Sequence, residues 1–525
     1  MSEDACTAVR WRGPLAWLLP ALMMLAVFLQ PALGASPDKP DVYTYPADVV
    51  DGALKTWVVE AGLIFVPENR SNPQSRLIPV AFWRLAGTAA AVHAPVFVLP
   101  GGPGEWFAPA DLKDAAFARR IRALMASGRD IVVVNQRGHP ETPATAPFTM
   151  GRCAPAADDA PDREADLALR ERDCFAAGVE RWRARGVDVS GYSLPEMVED
   201  IEAIRSALNY PRIALFGISF GSQWSIGYMH RYPHRVERAV LGGVEPIALG
   251  YDSPEWVWQA IERVLNEASA SPALASIRPA GGFAEALRVV LRRLDARPVR
   301  VPAVHPKWGQ ATLTLSGLDL RQALRRPFPD LSDRENLEHL PKFVSQIANG
   351  DYRYLARWTL DDRRDDWESP MMNALVDASI GIDAALDRQF QEEAGKVPLG
   401  DVNRRLRARQ GVQGSAPIDA SWRVPLRGPM ELLLIQGDAD LSTPLENIDH
   451  VTFSQVNARR VIIERGSHFA IDEALEQIGD FGAFIAAFLE SAAAVPSQRG
   501  APTGAANTLR ITLAPYAFKS SGKEK

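Results

Sequence analysis

Ser219 stands in Gly217-Ile218-Ser219-Phe220-Gly221, directly after the apolar run Ile213–Phe216. A serine hydroxyl is a poor nucleophile at its free pKa. It needs a histidine to take its proton and a carboxylate to orient that histidine. The chemistry of such a set is acyl transfer. By itself the Gly-x-Ser-x-Gly match is weakly specific, but its surroundings add to it. A strand-like run enters the motif, and a helical run from Gln223 to Tyr232 leaves it before Pro233. That strand–turn–helix setting is the one in which a serine is presented on a sharp turn. The flanking glycines would keep neighbouring chains from clashing, and the helix N-terminus would favour developing negative charge. A Gly-rich turn without chemistry is the alternative.

On this scaffold the partners follow in the order Ser, acid, His. Of the eight histidines, His450 and His468 lie far downstream. His468 follows the apolar run Val461–Ile463 and a short Glu-Arg-Gly-Ser turn, which places it at the carboxyl end of a strand, where open α/β sheets bind ligands. His450 lies in a helical stretch, so His468 is the candidate base. The acid should end the preceding strand, Met430–Gln436. Asp438 and Asp440 both follow it, and position alone does not separate them. The oxyanion needs two donors: the amide after the nucleophile, Phe220, and one from an earlier loop. Pro100-Gly101-Gly102-Pro103-Gly104 after Val96–Leu99 offers that loop. No Gly-Lys-Ser/Thr follows it, which argues against nucleotide phosphate. No His-Glu-x-x-His or paired-Cys motif is present, so no metal and no cofactor are implied.

Positioning these residues takes a large scaffold. The chain has 525 residues, 47% hydrophobic and 23% charged, a globular composition. Its net charge of −6 and lack of basic blocks exclude nucleic-acid binding by bulk electrostatics. Short apolar runs (Val96–Leu99, Ile131–Val134, Ile213–Phe216, Ala239–Leu241, Leu432–Ile435, Val461–Ile463) read as strands buried on both faces of a parallel sheet. Leu63–Val66 and Ile78–Trp83 read as an antiparallel hairpin at the sheet's edge. Met197, Ile201, Ile204 and Leu208 share one helical face, with Ser193 and Glu196 spaced as a capping box. Ile471 to Leu489 reads as one amphipathic stripe. The alternation predicts an α/β fold with helices on both faces of a mostly parallel sheet.

Between Glu245 and Arg427 helical runs replace strands, which predicts a largely helical cap insertion at 245–427. It splits a core at 35–244 and 428–494, and a tail follows at 495–525 in which Leu509–Leu513 could form a short strand. At the other end, no residue from Gly13 to Pro37 is charged. Arg10 and Arg12 precede an apolar stretch, and small residues precede Ala35, the parts of a secretory signal peptide at 1–34. An uncleaved membrane anchor is the alternative, although Leu15–Leu29 falls short of the roughly 20 residues a span needs. Export would let Cys153 and Cys174 pair as a disulfide; two free thiols are the alternative.

The motifs resemble α/β-hydrolases of the proline iminopeptidase and tripeptidyl aminopeptidase type. Gly101-Gly102-Pro103-Gly104 matches that group's Gly-Gly-Pro-Gly loop, and Asn135-Gln136-Arg137-Gly138 its Asp-Gln-Arg-Gly. Val66-Pro67-Glu68-Asn69 through Pro73 is similar to the opening hairpin of the tripeptidyl branch. Tyr192 to Leu208, with Asp200 and Arg205, resembles the helix before the nucleophile strand. Gly437-x-x-Asp440-x-x-Thr443-Pro444 matches the acid motif and favours Asp440 over Asp438. The resemblance covers roughly 60–245 and 428–490. It implies the α/β-hydrolase fold, a Ser219–His468–Asp440 triad, and Gly102 and Phe220 amides as the oxyanion hole. It also implies cap carboxylates that hold a free substrate amine, with Glu245 and Asp383 as candidates. The departures are Pro100 where many members have His, Asn135 for Asp, and Phe220 for Tyr or Trp.

The expected function is an exported, secreted or periplasmic serine aminopeptidase acting on peptide N-termini. The alternative is a carboxylesterase acting on small esters with the same triad, and a non-catalytic binding protein on this fold is a third reading. The expected partner is a peptide or small ester, not nucleic acid, and a membrane only if the leader is uncleaved. Activity is expected to fall at acid pH as His468 protonates near the ordinary value of about 6.5.

Overall fold

A computed structural model describes residues 42–51, 55–89, 93–138, 148–151, 153, 157–325, 333–364, 370–412, 414, 416–428, 430–452, 457–490 and 508–518. The expected leader at 1–34 lies outside them. The strands, in chain order, are β1 Val42–Val50, β2 Thr56–Pro67, β3 Leu77–Leu85, β4 Val96–Leu99, β5 Ile131–Val134, β6 Ile213–Ile218, β7 Val236–Gly242, β8 Val299–His305, β9 Gly309–Leu315, β10 Glu431–Gly437, β11 Ala458–Glu464 and β12 Thr508–Thr512. Ten of them form one sheet in the order β1-β2-β3-β5-β4-β6-β7-β10-β11-β12, and β8 and β9 pair apart as an antiparallel hairpin. From β5 to β12 every pairing in the large sheet is parallel.

The apolar runs are continuous because both faces of this sheet are covered. Successive side chains of a strand point to opposite faces. Val132 and Val134 of β5 enter one core, with the helices Leu194–Ala207 and Phe220–Arg231. Ile131 and Val133 enter the other, with the helices Ala115–Met125 and Phe481–Glu490. Leu432 and Leu434 of β10 divide from Leu433 and Ile435 in the same way.

Several local expectations differ. The β2–β3 hairpin is antiparallel but not at the edge, because β1 pairs outside β2. The Ser193 side chain makes no cap bond; Glu196 instead accepts from the Arg70 amide and guanidinium, a long-range pairing that outcompetes the local box. The stripe 471–489 is two helices, Ala470–Gln477 and Phe481–Glu490, separated at Gly479.

The stretch 245–427 is mostly helical and carries its own core around Ile261, Leu287, Leu313, Val344 and Leu355. Its helix Met371–Ile380, however, packs into the sheet-side core. The tail adds β12 parallel to β11, and Tyr516 buries itself in the insertion core under the Arg334 guanidinium. Cys153 and Cys174 form a disulfide with Cα atoms 5.1 Å apart. In the chain-entropy view, closing a loop of this length contributes about 3 kcal/mol.

Candidate active site

Ser219 follows β6 directly and precedes the helix Phe220–Arg231. Its φ is 59°, a left-handed conformation that costs a non-glycine residue about 1–3 kcal/mol. The surroundings enforce it: the Ser219 amide donates to Gly242 O at 3.0 Å, and Ser222 Oγ donates to Ser219 O at 2.6 Å. The two flanking glycines are needed for close approach. A Cβ at Gly217 would meet Gly221 O at 2.2 Å, and one at Gly221 would meet Leu99 O at 2.2 Å. Ser219 is half-buried, at the carboxyl edge of the sheet.

The structure brings His468 and Asp440 to that edge, from the loops after β11 and β10. His468 Nδ1 lies 2.9 Å from Asp440 Oδ2. Asp440 is wholly buried. Its Oδ1 accepts from the Ser442 and Thr443 amides at 2.9 and 2.8 Å, and its Oδ2 from Thr443 Oγ1 at 2.7 Å and Gln436 Nε2 at 3.0 Å. The carboxylate is thereby locked in one orientation before it meets the ring. His468 Cε1 and the Ser219 amide nitrogen lie 2.9 and 3.3 Å from the point where a Gly243 Cβ would stand. The His468 ring therefore lies beside the Ser219 turn. Burial pulls the His468 pKa down, but the Asp440 charge and hydrogen bond, with smaller contributions from Glu245 and Glu105, lift it to about 9. The shift is upward from the ordinary value near 6.5 expected from sequence.

The alternatives go elsewhere. Asp438 turns its Oδ1 to the Arg465 amide at 2.7 Å. His450 packs against Trp256 with ring centroids 5.6 Å apart.

The Pro100–Gly104 loop lies against the serine turn. A Cβ at Gly101 would sit 3.4 Å from Ile218 O and 3.5 Å from Ser219 Cβ. Gly102 has φ 105°, and the Phe220 amide belongs to the first helical turn, where N–H groups lack intrahelical partners. Gln136 clamps the loop: its Nε2 donates to Gly101 O at 2.6 Å, and its Oε1 accepts from the Gly104 amide at 2.7 Å. Asn135 ties down the next segment through both Phe107 backbone groups. Arg137 is fully buried. It donates to Asp200 through Nε at 2.7 Å and Nη2 at 2.6 Å, and through Nη1 to Glu68 O and Gly191 O. The Asn-Gln-Arg-Gly motif, the opening hairpin and the Asp200 helix thus form one polar brace behind the loop.

Of the two acids considered for an amine, the structure brings one to the site. Glu245 follows β7, and its amide donates to Ser222 Oγ at 2.9 Å, one turn from Ser219. Burial pushes its carboxyl up to about 8; the charges of Asp252 and Asp377 add to this and His468 opposes it. Asp377 is raised to about 6, again chiefly by burial, with Arg409 opposing at 3.4 Å. Asp252 pairs with Arg325 at 2.8 Å. Asp383, by contrast, is exposed and caps the helix Ala384–Ala394, accepting from the Ala385 amide at 2.8 Å. It is a capping residue because its side chain faces its own helix N-terminus. Asp252 and Asp377 were missed; nothing in their local sequence marks them.

A separate apolar cavity of about 340 Å³ opens beyond Pro246, lined by Ile226, Ile247, Trp422, Leu426 and His450; Ser219, Asp440 and His468 are not among its walls. Among the described residues no group of three or more His, Cys, Asp or Glu is placed to hold a metal ion, and no helix is long and apolar enough to cross a membrane.

A family model for the alpha/beta hydrolase fold matches residues 94–270. The tripeptidyl aminopeptidases of Streptomyces coelicolor and Streptomyces lividans are each 27% identical to the chain over 192 residues. Those matches span 35% of this chain and 35% of each relative. Among solved structures, a serine hydrolase from Cycloclasticus zankles is 12% identical with a TM-score of 0.33, covering 82% of this chain and 98% of that one. A 2-hydroxy-6-oxo-6-phenylhexa-2,4-dienoate hydrolase from a Rhodococcus species is 14% identical with a TM-score of 0.33, covering 82% and 100%. The sheet topology and the matched family model together give the chain the alpha/beta hydrolase fold, and part of it is similar to tripeptidyl aminopeptidases.

Proposed function

We propose that this chain is an exported serine hydrolase that removes residues or short peptides from peptide N-termini. The observation that carries the reading is the locked Asp440–His468 pair, 2.9 Å apart, beside the strained Ser219 turn. Ser219 Oγ attacks the scissile carbonyl carbon while His468 Nε2 takes its proton, and the carbonyl oxygen becomes an oxyanion held by the Gly102 and Phe220 amides. His468 then returns the proton to the departing amine as the C–N bond breaks. Water, deprotonated by the same imidazole, releases the acyl group and restores Ser219.

Preference for a free N-terminus is supported by Glu245. Its carboxyl is held up by burial beside Asp252 and Asp377, and an ammonium group placed against it would favour its ionised form. The leader-like sequence before residue 35 and the disulfide support export.

The test compares aminoacyl and peptidyl arylamides with their N-acetyl counterparts and with short acyl esters. Free-amine arylamides should be cleaved, and acetylation should reduce kcat/KM by at least about 100-fold, the loss expected when a buried charge pair forfeits one member. Equal turnover of blocked and free substrates, with fast ester cleavage, would move the assignment to an esterase.

The pH dependence follows from His468. The base must be neutral to accept the Ser219 proton, so a pKa raised to about 9 leaves it protonated and inactive below that value. On an uncharged ester, kcat/KM should rise from pH 7 toward pH 9. A midpoint at or below 6.5 would contradict the carboxylate-rich setting. An amine substrate should add a falling limb as its ammonium, ordinarily near 8, deprotonates.

A further inference from the structure

Residues 148–151 and 153 lie as a strip along the helix Glu164–Arg183. Thr149 O accepts from Arg181 Nη2 at 2.6 Å and from Trp182 Nε1 at 2.7 Å, and Cys153 is bonded to Cys174 nearer the helix's start. A Cβ at Gly178 would meet Met150 O at 3.1 Å and Met371 Sδ at 3.2 Å, so helix, strip and Met371 meet at one point. On its other edge the strip holds the start of the helix Met371–Ile380. Thr149 and Pro370 form an antiparallel bridge, and the Met371 amide donates to Phe148 O at 2.8 Å.

That second helix borders the candidate site. At its start Pro370 stands against the Pro100–Gly104 loop: a Cβ at Gly104 would lie 3.1 Å from Pro370 Cβ. Further along, it carries Asp377, one of the carboxylates whose charge reaches Glu245. The helix Glu164–Arg183 holds this part too. Buried Arg409 donates from Nε to Glu171 Oε1 at 2.8 Å and sets its Nη1 3.4 Å from Asp377 Oδ2. Glu171 stands three residues before Cys174, nearly one helical turn. One helix thus braces the element beside the site at two places, and the disulfide ties the strip to it covalently. Cys153 is exposed and Cys174 buried, so a thiol in solution reaches the bond from the Cys153 side.

Resting on the acyl-transfer reading above, we propose that Cys153–Cys174 is a redox-controlled clamp. Its disulfide form holds the helix Met371–Ile380 in place for catalysis, and its dithiol form turns over slowly. In the opening step a thiolate attacks the exposed Cys153 sulfur, the S–S bond breaks, and Cys174 leaves as a thiolate that takes a proton. The reductant's second thiol then attacks the mixed disulfide, releases Cys153 as a thiol and closes its own disulfide. Two electrons pass from the dithiol to the cysteine pair. The strip then keeps only its hydrogen bonds and packing, and its displacement passes through Pro370 to Gly104. In a compartment that keeps thiols reduced the chain would stay slow, and an oxidising one would switch it on.

The test takes the folded, oxidised protein, with Cys6→Ser so that one thiol pair responds, and measures kcat/KM before and after incubation with dithiothreitol. A short acyl ester and a free-amine arylamide are both used, because the Pro100–Gly104 loop would serve either. Reduction should lower kcat/KM on both by about 10- to 100-fold, the scale of loss that a misplacement of about 1 Å produces. Removal of the dithiol and reoxidation should restore it. The denaturation midpoint falls on reduction whatever the role, so rates are read well below it, with tryptophan fluorescence reporting the fold. Cys153→Ser should match the reduced protein and ignore dithiothreitol; where that variant fails to fold, the reduced and reoxidised protein carries the test. Reduction that lowers the midpoint but leaves kcat/KM unchanged would overturn the clamp and leave the hydrolase reading standing. So would an equal loss caused by dithiothreitol in Cys153→Ser. Failure of the oxidised protein to cleave either substrate or to take a fluorophosphonate label would overturn both.

Discussion

Ser219→Ala should lower kcat on any cleaved substrate by a factor on the order of 10⁶, to the level left when a serine nucleophile is deleted from a complete triad. Truncation removes the attacking oxygen and little else. Ser219 Oγ is not the group that holds the turn; the Ser219 amide and carbonyl do that, through Gly242 and Ser222, and alanine keeps both. The positive φ strains alanine as it strains serine, so the fold should persist with an unchanged denaturation midpoint. A residual rate above water would come from the oxyanion amides and substrate binding alone. Labelling by a fluorophosphonate should disappear in the variant. Retention of even 1% of activity would remove Ser219 from the mechanism.

The Ser219 turn could be read from sequence because its signals are local. A strand, a glycine pair and a helix stand within twenty residues, and each glycine answers a backbone contact of about 2.2 Å. The continuous apolar runs announced a sheet covered on both faces for the same reason: periodicity reports burial. What sequence left open was decided by long-range contacts. Ser193 and Glu196 have capping-box spacing, yet Arg70, more than a hundred positions away, takes Glu196. β1 escaped notice because Pro46 and Asp48 interrupt its pattern, which is tolerable in a strand that pairs on one side only. Asp383 has the charge for an amine site but faces its own helix, whereas Asp252 and Asp377 reach Glu245 from separate segments of the insertion. Asp438 and Asp440 are two residues apart in one turn; position alone left them open, the acid motif favoured Asp440, and the side chains leave the turn in different directions.

That distinction yields the second large effect. Asp440→Asn should lower kcat by about 10⁴, the cost of holding the base histidine in the wrong tautomer. Asp440 receives only donors: two amides, the Thr443 hydroxyl, Gln436 Nε2 and the His468 ring. A carboxamide presents an NH₂ group on one of its two sides. Turned toward Oδ1, that group meets the Ser442 and Thr443 amides. Turned toward Oδ2, it meets Gln436 and His468 Nδ1. The second arrangement spares the two backbone donors but forces Nδ1 to accept, which leaves the proton on Nε2, where it cannot receive another from Ser219. Loss of the negative charge also removes the main upward pull on His468, so the residual activity should show its acid limb at lower pH than the wild type. Because Asp440 is wholly buried, the clash with Gln436 should additionally cost about 1–3 kcal/mol of stability, measurable by urea denaturation. Asp438→Asn is the matched control. Its Oδ1 accepts from the Arg465 amide, a bond that a carboxamide oxygen keeps, so kcat should change less than tenfold, well under the 10⁴ expected at Asp440. Equal losses in the two variants would mean that the turn as a whole, and not the Asp440–His468 contact, sets the rate.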